Sequence, residues 1–267
     1  MSRPIKKGMP TKHHPTKRPR GENKPKTPPK INKKHKKHKG DNQFLSLDLK
    51  EWNIYQSESV VSLPTDFMLK LEQDPENFLD NDISLVADAI DYFNNNGLGF
   101  DHRLLQEIYK SFNGTYMFNE HEYDKSKIVG LVLDSKIIYH KETKTYSIVN
   151  LFALKKSLTT HLDLNLFYVS MGIMSKTYSF DDMSILFGMD IATQSGKFFE
   201  LSVVTHPAYA NAKPSHKVTT DRDELLIPIN LIPSYFEYDE IQQKGFKDEP
   251  FDYIPPAEFF KLPIVSV

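Results

Sequence analysis

The chain changes character abruptly near residue 43, and that boundary limits what the rest of it can fold into. Residues 1–40 hold 15 Lys and Arg against one acid, Glu22, for a net charge of +14. Residues 1–42 are otherwise rich in Pro, His and Gly and almost free of large apolar side chains. Such a segment cannot bury enough surface to offset its ordering entropy, so a disordered tail is expected. The other 227 residues carry 19 Lys and Arg against 34 acids, or −15, so the near-neutral total of −1 hides a basic tail on an acidic body. A tail of this kind is either a solvated charge run or an electrostatic address for an acidic scaffold protein or nucleic acid. No aromatic side chain is interleaved in it for stacking on single strands. His13, His14, His35 and His38 lie within it and read as solvated.

The chain has no cysteine, which excludes disulfides, zinc–thiolate sites and a cysteine nucleophile. No apolar run approaches the ~18 residues of a transmembrane helix, so no membrane partner is expected. No apolar stretch follows the basic N-terminus, so it does not read as a secretory signal.

The pattern predicts three regions: the tail at 1–42, a domain at 43–217 and an acidic, Pro-rich arm at 218–267. Residues 44–62 read as strand, and 65–80 and 82–94 as helices, the second with Ile83, Val86, Ala87 and Ile90 on one face. Asn94-Asn95-Asn96-Gly97 stops that helix. Asp101 can cap a helix over 102–112 whose stripe is Leu104, Leu105, Ile108 and Phe112. Strands are expected at Ile128–Leu133, Lys136–His140, Lys144–Asn150, Leu166–Met174 and Phe198–Thr205, with a short helix over 152–163. Tyr178–Ser195, with Asp181, Asp182 and Asp190, reads as an inserted loop or helix. After 220 there are ten acids against four Lys and Arg. Pro228, Pro233, Pro250, Pro255, Pro256 and Pro263 prevent long regular elements there. The aromatics that persist, Tyr235, Phe236, Phe251, Tyr253, Phe259 and Phe260, make it an arm that docks on its own domain or on a neighbour.

The chemistry sits in three segments. Phe118-Asn119-Glu120-His121 precedes a strand opening Ile128-Val129-Gly130. Phe167-Tyr168-Val169-Ser170-Met171-Gly172-Ile173 is apolar except at its serine. Phe199-Glu200-Leu201-Ser202-Val203-Val204-Thr205-His206-Pro207-Ala208 carries one acid, Glu200. A serine hydroxyl becomes a useful nucleophile when an imidazole removes its proton, and the imidazole needs a carboxylate to hold its tautomer. His121, Ser170 and Glu200 can fill those roles. The order His, Ser, acid differs from those of chymotrypsin, subtilisin and α/β-hydrolases. If 198–205 is a strand, Glu200, Ser202 and Val204 share one face and Phe199, Leu201 and Val203 the other. His206 and Asp190 compete with Glu200 for the third role, and His140 and His161 are spare histidines. Oxyanion donors can come from Met171 and Gly172 or from the backbone after Thr205.

Taken in order over roughly residues 97–215, these segments resemble the prohead (capsid-maturation) protease family of tailed bacteriophages, whose fold is related to the herpesvirus assemblins. The Glu-Leu-Ser-Val-Val-Thr-His-Pro-Ala stretch carries most of the likeness. The resemblance implies an α+β fold, a mainly antiparallel β-barrel wrapped by helices. It also implies a serine endopeptidase that needs no cofactor or metal and works inside the prohead, assembled in the host cytoplasm. The implied substrates are the major capsid protein, the scaffold and core proteins, and the protease itself. Such enzymes cut after glutamate in apolar-x-Glu contexts, which Leu49-Lys50-Glu51 matches weakly. A homo-oligomer is compatible with this reading. The alternative is an inactive inner-core protein of the phage head that docks through its basic tail.

Overall fold

The structure is a computed structural model. It describes residues 43–75, 77–78, 82–163, 166–179, 188–217, 221–228 and 256–266. The expected tail at 1–42, Asp181 and Asp182, and Tyr235, Phe236, Phe251 and Tyr253 of the arm lie outside the described residues.

The fold is mainly β, with short helices and an eight-stranded mixed sheet curled into a half-barrel. Eleven strands are described: β1 (Gln43–Asp48), β2 (Trp52–Val61), β3 (Leu98–Phe100), β4 (Tyr116–Asn119), β5 (Ile128–His140), β6 (Thr145–Lys155), β7 (Tyr168–Ser179), β8 (Asp190–Val204), β9 (Pro214–Lys217), β10 (Glu224–Pro228) and β11 (Ile264–Ser266). The large sheet runs β3-β8-β4-β5-β6-β2-β9, with β7 on the other edge of β8. β8 is the hinge of this arrangement. It pairs antiparallel with β7, and parallel with β3 at its start and with β4 near its end. The curl carries Tyr55 of β2 round to Phe167 at the head of β7, where the rings meet edge to face with centroids 5.3 Å apart, within the ~4.5–7 Å usual for such pairs.

Helices α1 (Thr65–Gln73), α2 (Ile83–Ile90) and α3 (His102–Ile108) cover the sheet, and a single turn α4 (Pro256–Phe259) belongs to the arm. As expected, Asp101 caps α3 by accepting the Arg103 N–H, and Leu104, Leu105, Ile108 and Phe112 are buried. They pack with Phe198, Leu201 and Val203 of β8 in the main core. On the opposite face of the large sheet, Trp52, Ile54, Tyr116, Phe118 and Leu131 pack against Leu45, Leu47, Ile227 and Phe260. Leu45, Leu47 and Ile227 belong to a second, three-stranded sheet, β10-β1-β11, and Phe260 lies shortly before β11. The described part of the arm therefore docks on β1 of its own chain.

Several expected elements are corrected. Residues 44–62 are two strands, broken at Leu49–Glu51, where the chain turns from the small sheet into the large one. Ile128–His140 is one strand, because a bulge near Leu133 absorbs the break in pattern. The short helix over 152–163 is replaced by the end of β6 and a tight turn at Lys156–Leu158, since Phe152, Ala153 and Leu154 are needed as strand residues in the core. In α2 the buried residues are Val86 and Ala89, while Ile83 and Ala87 are exposed. The expected insert at 178–195 is partly the far end of a hairpin, since β7 runs to Ser179 and β8 begins at Asp190.

Candidate active site

Glu200 lies on β8 with its side chain fully buried, facing away from the helix-packed core. A bare buried carboxylate is costly, so its partners decide what it can do. Its Oε1 is 2.8 Å from His121 Nδ1, and its Oε2 accepts the Ser202 hydroxyl at 2.5 Å. The Tyr123 hydroxyl lies 3.5 Å from Oε1.

His121 reaches this carboxylate through an unusual piece of backbone. β4 ends at Asn119, and Glu120 and His121 both take left-handed conformations, with φ of 53° and 57°. The Glu122 N–H closes the turn on the Asn119 carbonyl at 3.0 Å. Two consecutive left-handed residues reverse the chain sharply, and without glycine they cost about 1–3 kcal/mol each. Two bonds to the end of β8 hold the turn. The Glu120 N–H donates to the Val203 carbonyl, and Glu120 Oε1 accepts the Thr205 N–H, both at 2.8 Å. The His121 ring thus folds back over β8 with 34% of its side chain exposed.

Burial alone would lower the pKa of His121. The bond to Glu200 and the charges of Glu200 and Glu120 outweigh burial, and the pKa stands above its ordinary value. With Nδ1 committed to Glu200, Nε2 is left facing other chemistry, the arrangement a general base requires.

Ser170 lies on β7 directly opposite Ser202, and Gly172 lies opposite Glu200. Ser170 and Glu200 are therefore diagonal neighbours on one sheet face, a spacing of about 7–8 Å between backbones. Ser170 is 8% exposed. Among the described residues no hydrogen bond joins Ser170 to His121, so the structure brings His121 and Glu200 into contact and places Ser170 beside them on the same face. The Val169 N–H donates to the Ala212 carbonyl, away from β8, and by strand alternation the Met171 N–H points the same way. Gly172 faces β8 instead, and the Thr205 N–H is taken by Glu120. Of Met171 and Gly172, Met171 is thus the one whose N–H turns away from β8.

The face assignment on β8 needs one correction. A bulge between the pairs Gly172–Glu200 and Ile173–Phe198 makes Phe199 the extra residue. Phe198 takes the core position, and Phe199 lies beside Glu200 with its ring 5.9 Å from that of Tyr123. Gly172 is required there. A Cβ would come within 2.5 Å of the Phe199 ring and 2.6 Å of Glu200 Oε1.

The rival residues lie elsewhere. His206 is exposed and paired with the Thr205 hydroxyl at 3.0 Å. Asp190 begins β8, ten residues before Glu200, or about 30 Å along an extended strand. His140 contacts Ser147 at 2.7 Å, but that serine is fully buried, and His161 is exposed. Sequence reasoning missed Ser202, Tyr123 and the anchoring of Glu120. The Glu-x-Ser alternation on one strand face was the available signal for the first. Among the described residues no group of three or more His, Asp or Glu converges as a metal site would. No family model, curated protein or solved structure matches the chain.

Proposed function

We propose that the chain is a serine endopeptidase of the prohead-maturation type, with Ser170 as nucleophile, His121 as general base and Glu200 as the carboxylate that orients it. The observation that carries this reading is the 2.8 Å contact of His121 Nδ1 with a fully buried Glu200, on the sheet face that also holds Ser170. Ser170 Oγ attacks the scissile carbonyl carbon while its proton passes to His121 Nε2. Glu200 stabilises the resulting imidazolium, which then protonates the leaving amine. Water hydrolyses the remaining ester by the same route, freeing Ser170. The Ser170–His121 contact is the link that must close, and such bonds commonly tighten only when substrate is bound.

The resemblance supplies the rest of the proposal. The fold is herpesvirus-protease-like, the place is the prohead interior, and the substrates are capsid, scaffold and core proteins. The curled sheet with helices packed on one face is compatible with that fold. Self-cleavage at Leu49-Lys50-Glu51 fits poorly. The segment is a tight turn in which the Leu49 and Lys50 carbonyls accept from Lys156 Nζ at 3.1 and 2.8 Å, and the Glu51 carbonyl accepts the Lys156 N–H at 2.9 Å. A protease reads an extended segment, and this one is held bent.

A fluorophosphonate probe tests the reading. In assembled proheads it should label the wild-type chain, and Ser170→Ala and His121→Ala should each abolish labelling and capsid processing. Wild-type processing by Ser170→Ala would overturn the assignment.

A further inference from the structure

We propose that Ser202 is a positioning residue, a fourth member of the site that fixes the Glu200 carboxylate and so holds His121 ready to take the proton of Ser170. The inference rests on the protease reading above. Ser202 donates to Glu200 Oε2 at 2.5 Å, and both residues are wholly shielded from solvent. Full burial excludes Ser202 as an alternative nucleophile, since no peptide carbonyl can reach it. Its hydroxyl has one proton to give, and this contact places that proton on the carboxylate oxygen that does not face the imidazole.

Two consequences follow from that geometry. A glutamate side chain has three rotatable torsions, and a carboxylate tied at Oε2 can present Oε1 only where His121 Nδ1 already lies. Ser202 therefore does for Glu200 what Glu200 does for His121. The second consequence is electrostatic. Among the described residues, the charges that act on the imidazole are Glu200 from β8 and Glu120 from its own turn, the Tyr123 hydroxyl lies on Glu200 Oε1, and the only ion pair of Glu200 is with His121. Nearby charge compensation for Glu200 thus comes from hydroxyl donors and the imidazole itself. Removing the Ser202 hydroxyl destabilises the carboxylate facing a neutral imidazole more than the neutralised carboxylate–imidazolium pair. The imidazole then holds its proton to higher pH and is a base over a narrower range.

The test is the rate of fluorophosphonate labelling of Ser170 in full-length Ser202→Ala, measured against pH, with the His121 ring titration followed by NMR. Labelling should slow about ten- to a hundredfold, as expected for loss of a hydrogen bond to a charged group. The acid limb of the profile and the His121 titration should both move to higher pH. Ser202→Cys, which keeps a small side chain with a weak donor, carries the same expectation if the alanine variant does not fold. A merely structural serine would lower thermal stability and leave both midpoints in place, and that result overturns the inference alone. A wild-type chain that is never labelled, or labelling that survives Ser170→Ala, overturns the protease reading and the inference with it.

Discussion

At the scale of single residues, His121 shows how position, conformation and charge are bound together. Its pKa is raised in the fold, so its contribution to stability is fully present below the ordinary imidazole value of about 6.5 and is lost as pH rises through the folded value. The proposed catalysis needs the opposite form, because only neutral Nε2 can accept a proton. Between the ordinary and the raised value, stability should therefore fall while labelling of Ser170 rises. Denaturant unfolding of wild type and Glu200→Gln across pH 5–9 checks this, and the variant should lose most of the pH dependence. The left-handed backbone gives a second expectation. His121→Ala and His121→Gly both remove the imidazole, but only glycine adopts a φ of 57° without strain. The glycine variant should be the more stable of the two by roughly 1 kcal/mol. Equal stabilities would show that the turn carries no strain.

At the scale of elements, β8 decides how much of the site was legible. Alternation placed Glu200 and Ser202 on one face, and β8 keeps them there because their stretch is regular. The same alternation failed one residue earlier, at the Phe199 bulge, since two adjacent phenylalanines give no sign of which one turns inward. The cap at Asp101 and the stripe of α3 were legible because capping and a 3.6-residue period are local. The stripe of α2 was legible at Val86 and Ile90 but not at Ile83 and Ala87, because which apolar residues are buried there depends on packing with α1 and Phe78. The turn at Glu120 and His121 was illegible for a different reason. Left-handed positions announce themselves by glycine or asparagine, and neither is present. The bulge also makes a prediction. Gly172→Ala must displace the Phe199 ring or the Glu200 carboxylate, so Ser170 labelling should fall at least tenfold, on the order of one lost hydrogen bond to a charge. Wild-type labelling in that variant would mean that the bulge does not set the carboxylate.

At the scale of the whole molecule, the charge division of +14 over residues 1–40 against −15 over the rest is a large feature with no place in the candidate site. A polycation of that density binds acidic partners through screened electrostatics, and its affinity falls steeply as salt rises past physiological strength. The candidate site lies on β7, β8 and the turn after β4, all within the body, so the proposed hydrolysis would not call on the tail. Delivery does. A protease that acts inside an assembling shell must be enclosed before the shell closes, and an acidic scaffold is the surface a basic tail would find there. Deleting residues 1–42 should leave fluorophosphonate labelling and peptide hydrolysis in solution unchanged while lowering the number of copies enclosed per prohead. Raising salt during assembly should mimic the deletion for the full-length chain and have no effect on the truncated one. Equal enclosure of the two forms at every salt concentration would reduce the tail to a solvated charge run.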